Sequence, residues 1–422
     1  MNVTDPGVRV PATVLIVGAG LAGLRTAAEL RERGFAGRLV VVGAERHQPY
    51  DRPPLSKELL TRTDPAWLAA DGLGTLGDLA DEVLLAHAAT ALRAGEDGAE
   101  LDVAGAGGMR TLTADVAVLA TGAHAVAPRP WEGVLTLHTA DDAAHLRERL
   151  QPGRRLVVIG AGWIGAEVSG LAAAHGLDVT VVEAAAAPLA RQVGTTVGAR
   201  VAPWYEAAGV RLLCPAPVRA VQEEGDVRTV VLDGRQPLKA DVVLAATGVR
   251  PATGWLGAAL PTTASGAVPV DAAGRVPGGP PSVRAVGDCA QMTTAELGTV
   301  PGGHWDAALT HPAALAAGLL GQDLPAIPAP YVFSTQLGHD VAVVGHPSPT
   351  AAVVDRSDGE SWTALYVEHE DDAAARLVAG FTADRPRDVG QLRRLLAGGG
   401  SPRLDLAAAA DPAVPLKKAV LP

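Results

Sequence analysis

Val14-Leu15-Ile16-Val17-Gly18-Ala19-Gly20-Leu21-Ala22-Gly23 sets four apolar residues directly before a G-x-G-x-x-G turn. The apolar run reads as a buried strand, and the glycines fit a sharp turn into a helix. Gly18 permits the tight reversal. Gly20 lets backbone amides approach a pyrophosphate, and Gly23 lets helix and strand pack closely. The start of the following helix favours the phosphate charge. Alone, the motif is a weak signal, because glycine-rich turns also occur with no ligand. The chain repeats it. Leu156-Val157-Val158-Ile159-Gly160-Ala161-Gly162-Trp163-Ile164-Gly165 has the same run, with Gly160, Gly162 and Gly165 in register. Two fingerprints predict two dinucleotides, or one dinucleotide and a duplicated relic.

Composition narrows the function classes. At 422 residues the chain has room for two or three domains. A net charge of −11, with no dense basic run, argues against general nucleic-acid binding. The two cysteines, Cys214 and Cys289, lie far apart. That excludes a disulfide framework, a C-x-x-C pair and a cysteine-rich metal site, and fits a reduced cytoplasmic setting. No leader pattern opens the chain, and no run reaches ~18 apolar residues, so no membrane span is expected. His304 and His311 stand seven residues apart without a third ligand, so no metal site is expected.

The spacing around each glycine turn supports the repeat. After the first, Leu24–Arg33 reads as a helix and Arg38–Val42 as a strand. Glu45 follows 25 residues after Gly20. It is placed either to accept ribose hydroxyls or to be an exposed turn residue. After the second, Val168–His175 continues a helix and Asp178–Val182 is a strand. Glu183 then stands 21 residues after Gly162, without an adjacent arginine, which favours a free 2′-hydroxyl and hence NADH over NADPH. Val116–Ala120 closes the first unit at Thr121-Gly122, and Val242–Thr247 closes the second at Gly248. The repeat therefore spans whole domains.

Elsewhere, three prolines stiffen Gln48–Leu60, a loop carrying Arg52 and Lys57 in which Ser56 is placed to cap a short helix. Asp288 ends a short strand at Val283–Val286. His304–Leu320 reads as a helix that Pro312 should kink or restart. After Pro325–Pro330, short alternating segments predict an antiparallel sheet, followed by a helix at Val389–Ala397 with Arg393 and Arg394 on its polar side. The expected architecture is α/β. Two Rossmann-like nucleotide-binding domains, 1–122 with 250–325 and 123–249, precede a C-terminal α+β domain, 326–422, with an antiparallel sheet.

Over nearly its whole length the pattern resembles the ferredoxin reductases of the glutathione-reductase-like flavoproteins, the branch that serves bacterial oxygenases. Pro49-Tyr50-Asp51-Arg52-Pro53-Pro54-Leu55-Ser56-Lys57 is close to a signature of that family. Gly160 through Glu167, the two Thr-Gly turns, Gly287-Asp288-Cys289-Ala290 and Pro415-Leu416-Lys417 also match. The resemblance implies FAD on the first unit, with its pyrophosphate at Gly18, Gly20 and Gly23, its ribose at Glu45 and its ribityl chain at Asp288. Arg52, Lys57, Thr121, Gly122 and Trp305 would lie along or beside the flavin. NADH would sit on Gly160, Gly162, Gly165, Glu183 and Gly248, and Lys57 would pair with Glu167 near the flavin N5. Electrons would leave singly to a two-iron two-sulfur ferredoxin, from a monomer or homodimer.

The chain departs from the family where that partner would dock. The usual Phe-Trp-Ser-Asp-Gln is Val332-Phe333-Ser334-Thr335-Gln336, and Pro312 stands where a basic residue is usual. A diaphorase or oxidase-like flavoprotein with another acceptor, and a redox-gated signalling flavoprotein of the apoptosis-inducing-factor type, are therefore the competing expectations.

Overall fold

A computed structural model describes residues 10–303, 305–348, 350–369 and 374–422, so His304 lies outside the described residues. The chain divides into two compact units. The first comprises Met1–Asp51, Ala66–His124 and Val249–Pro328. The second comprises Arg52–Pro65, Ala125–Gly248 and Ala329–Pro422.

In the first unit, Thr13–Val17 is the central strand of a five-stranded parallel sheet. It pairs on one side with Arg38–Val42, with Val17 opposite Val42, and on the other with Val116–Leu119. Strand order reverses about it, and in such sheets ligands bind beyond the carboxyl end of that strand. Val14, Leu15, Ile16 and Val17 are buried, as a two-sided parallel strand requires. Helix Leu21–Glu32 packs on the sheet together with Trp305–Leu319. The latter runs through Pro312 unbroken, so no restart occurs. Pro312 is buried, and packing along the helix offsets the backbone hydrogen bond that proline removes.

The second unit repeats the plan. Arg155–Ile159 lies between Asp178–Val182 and Val242–Ala245, with Ile159 opposite both Val182 and Ala245. Helix Trp163–Ala174 follows the glycine turn. Each unit also carries a three-stranded antiparallel meander before its closing strand. These are Ala88–Ala94, Ala99–Gly105 and Gly108–Ala114 in one, and Val218–Glu224, Val227–Leu232 and Leu238–Ala240 in the other. The sequence pattern marks no strands there.

The remainder of the second unit is an antiparallel sheet ordered Tyr331–Gln336, His339–Gly345, Ala374–Ala383, Ser361–His369, Ala352–Asp358. Val341, Trp362 and Phe381 from this sheet share one apolar core with Leu156, Val158 and Tyr205. Helix Pro386–Leu395 buries Leu392 against the sheet.

Arg356, only 1% exposed, fastens the C-terminal tail. Its Nε donates to Asp388 Oδ2 at 3.2 Å, and its other nitrogens donate to the carbonyls of Ala409, Asp411, Pro412 and Val414. Thr363 and Arg385 also donate to Asp388, so the buried carboxylate is well supplied. Replacing Arg356 by Met leaves four carbonyls without this donor. The expected cost is about 3 kcal/mol, since truncating one partner of a buried charged network is strongly destabilising. A lowered urea midpoint and faster proteolysis of residues 406–422 would register it.

Candidate functional site

Each unit has a helix that starts at a glycine turn. Gly18 has φ +125° and Gly160 has φ +107°, both in the region that favours glycine. A Cβ on Gly18 would overlap the Ala120 carbonyl, and one on Gly160 the Ala246 carbonyl. A Cβ on Gly23 or Gly165 would overlap the carbonyl of Gly18 or Gly160 in turn. Close approach of turn, helix and neighbouring strand therefore excludes side chains at four positions. Gly20 is different: among the described residues nothing lies within 4 Å of a Cβ built there, and at Gly162 only the Gln192 amide nitrogen comes within that range. Both helices begin without a side-chain cap. Their first amides have no intrahelical partner, which suits an anionic pyrophosphate. The cradles fit the dinucleotides that the fingerprints predict.

The other expected residues of the first unit gather into hydrogen-bonded pairs. Glu45 accepts from the Tyr50 hydroxyl at 2.5 Å. Trp305 Nε1 donates to Asp51 Oδ1 at 2.6 Å, which fixes the indole. Asp288 lies in a 3-10 turn at Gly287–Cys289, and its Oδ1 accepts from Gly303 N at 3.0 Å. Gly122, after Thr121, has φ +69°. Sequence reasoning missed Tyr50 and Asp51 as supporting residues, although both belong to the Pro49–Lys57 motif.

In the second unit, Glu183 is half-buried at a strand end. Its carboxylate accepts from Ala161 N at 2.8 Å and Ala185 N at 2.7 Å. The turn itself therefore orients this acid. The Thr247 hydroxyl donates to the Val126 carbonyl at 2.6 Å and closes the loop before Gly248. Trp163 is partly buried against the core.

Lys57 Nζ pairs with Glu167 Oε1 at 2.5 Å, and the Glu167 side chain is only 6% exposed. Two hydroxyls complete the carboxylate. Ser56 donates to Oε2 at 2.5 Å, and Ser334 donates to the same Oε1 as Lys57. Ser56 lies inside the short helix Pro54–Lys57, whose N-cap is Pro53, so it does not cap that helix as expected. A buried carboxylate is the stronger demand on its hydroxyl. The Phe333 ring lies 5.3 Å from Lys57 Nζ and stacks on Tyr331, which carries the Arg393 guanidinium at 4.7 Å. Arg52 Nη1 donates to the His138 carbonyl at 2.5 Å.

A family profile described as pyridine nucleotide-disulphide oxidoreductase matches residues 12–310, and one described as reductase C-terminal matches 331–420. The chain belongs to the pyridine nucleotide-disulphide oxidoreductase family. Members of that family use FAD and NAD(H). Among curated relatives, the ferredoxin–NAD(+) reductase component of the biphenyl dioxygenase system of Paraburkholderia xenovorans (strain LB400) is 33% identical, over 91% of this chain and 98% of that protein. Terpredoxin reductase from a Pseudomonas species is 31% identical, over 97% and 98% respectively. Among solved structures, the ferredoxin reductase for the CYP199A2 system from Rhodopseudomonas palustris is 30% identical. It covers 97% of this chain and 100% of its own, with a TM-score of 0.85.

Unlike the disulphide chemistry in the family's name, the thiols here are quiet. Cys289 is fully buried, with its Sγ 3.3 Å from the carbonyls of Leu119 and Val286, and burial pushes the thiol up. Burial, and then the Glu183 charge, also raise the Cys214 thiol. Neither is set up as a thiolate nucleophile near neutral pH. Among the described residues, no cluster of three or more His, Cys, Asp or Glu is arranged to hold a metal. No helix among them is long and apolar enough to cross a membrane.

His311 borders a small recess in the first unit, with Asp271, Gly287, Met292 and Gly302. Burial pushes its imidazole down to about 4, so it is neutral at physiological pH. The unfolded chain, titrating near the ordinary value of about 6.5, binds more protons between those limits. Stability should therefore fall as pH drops from about 6.5 toward 4. In His311→Gln the loss between about pH 7 and about pH 5 should be smaller than in wild type, by thermal melts at the two pH values.

Proposed function

We propose that this enzyme takes hydride from NADH onto FAD and passes electrons singly to a ferredoxin. The carrying observation is the pair of open, uncapped glycine turns in one chain, each with an acid placed after its second strand. The full-length likeness to reductases of oxygenase systems supports the same assignment. We place FAD on residues 1–122 and 250–325, NADH on 123–249, and the acceptor interface on 326–422. A two-iron two-sulfur carrier that serves an oxygenase, in the cytoplasm, is the finer form of the proposal.

FAD and NADH supply the hydride chemistry when bound. The protein must bring donor and acceptor atoms to ~3–3.5 Å. Gly18, Gly20 and Gly23 receive one pyrophosphate, and Gly160, Gly162 and Gly165 the other. Glu45 and Glu183 accept from ribose hydroxyls. Asp288 takes a ribityl hydroxyl, while Arg52, Thr121, Gly122 and Trp305 border the flavin, and Gly248 the nicotinamide end. Lys57 presents positive charge to the flavin. Glu167 holds that charge in place and limits its strength. No protein nucleophile is required.

A second reading, a diaphorase with a non-ferredoxin acceptor, rests on Phe333 and Thr335, the outward residues that depart from the family pattern. Comparing electron transfer to a ferredoxin with transfer to quinones and oxygen separates the two.

Anaerobic NADH should bleach the flavin absorbance within one turnover; failure of both NADH and NADPH to do so overturns the assignment. Glu183→Ala should lower the NADH-to-NADPH ratio of kcat/KM by about tenfold, or ~1.4 kcal/mol of discrimination. An unchanged ratio would remove Glu183 from the ribose site.

A further inference from the structure

Glu167 Oε1 has two acceptor positions, and both are taken: Lys57 Nζ fills one and Ser334 Oγ the other. Oε2 accepts from Ser56. The ammonium therefore holds the carboxylate through Oε1, and it shares that oxygen with a hydroxyl. It is held at the edge of the group, with the Phe333 ring close by. Ser334 is buried on the inner face of strand Tyr331–Gln336.

We propose that Ser334 is a positioning residue for the electron-transfer reaction. By occupying the second acceptor position of Glu167 Oε1 it sets how far the Lys57 ammonium stands from its counter-charge, and so how much positive field reaches the flavin. This rests on the reading that Lys57 faces the flavin. Without the Ser334 hydroxyl, two effects act in one direction. The carboxylate loses a donor that dissipates its negative charge, and the ammonium is drawn further onto it. Both lower the positive potential at the flavin and disfavour electron uptake there.

The test is the flavin midpoint potential of the purified holoenzyme, by equilibration with a reference dye under anaerobic conditions. Ser334→Ala should be more negative than wild type. Ser334→Thr, which keeps the hydroxyl, should return the wild-type value. Thr335→Ala removes an exposed hydroxyl of the same strand that donates to Asp340, and should leave the potential unchanged. A Ser334→Ala potential equal to or above wild type, or an equal shift in Thr335→Ala, overturns the inference. Lys57→Gln separates the two levels. If Lys57→Gln shifts the potential while Ser334→Ala does not, only the positioning role fails. If Lys57→Gln does not shift it, the placement of Lys57 at the flavin fails, and the positioning role with it.

Discussion

A helix leaves its first amides without intrahelical partners, and two helices here start on a glycine that has no side chain to satisfy them. The rest of the molecule accommodates that demand. The sheets place each start at the carboxyl end of a central strand, where strand order reverses. Gly18, Gly23, Gly160 and Gly165 let backbone pack against backbone, so each helix is aimed from its own strand. The acids at 45 and 183 follow neighbouring strands, one held by a tyrosine and the other by backbone amides.

Glu167 is a second demand of the same kind, with the opposite sign. A carboxylate this deeply buried is costly unless fully hydrogen-bonded. Its donors come from two segments distant from it in sequence: Ser56 and Lys57 from the proline-rich loop, and Ser334 from the C-terminal sheet. The carboxylate thereby ties the loop and the sheet to the helix that carries it. Arg356 does the same for the tail, with the charge reversed.

Legibility in the sequence tracked the physics of each element. Strands Arg38–Val42 and Asp178–Val182 lie where the apolar runs place them, because strands buried on both faces leave an unbroken pattern. The two meanders escaped notice, because half-exposed strands such as Ala88–Ala94, which buries only Leu92, alternate weakly in the sequence. Helix Ala190–Val201 also went unread; Gly194 interrupts its pattern with φ +78°. The Lys57–Glu167 pair was implied by family motifs alone. The hydroxyls of Ser56 and Ser334 were not, since spacing along a chain says nothing about partners so distant in sequence.

Strand Tyr331–Gln336 has one further consequence. Side chains alternate across a strand, so Phe333 and Thr335 face outward while Ser334 and Gln336 are buried. The departures at Phe333 and Thr335 fall on the outer face, whereas the serine and glutamine of the inner face match the family pattern. A mutation at 333 or 335 changes the exposed face of the strand; one at 334 or 336 disturbs the interior. Geometry of this kind lets the exposed face of the strand change while the buried face beneath it stays fixed. It also makes positions 333 and 335 the ones to randomise when the surface of this strand is to be varied without touching Ser334 and Gln336.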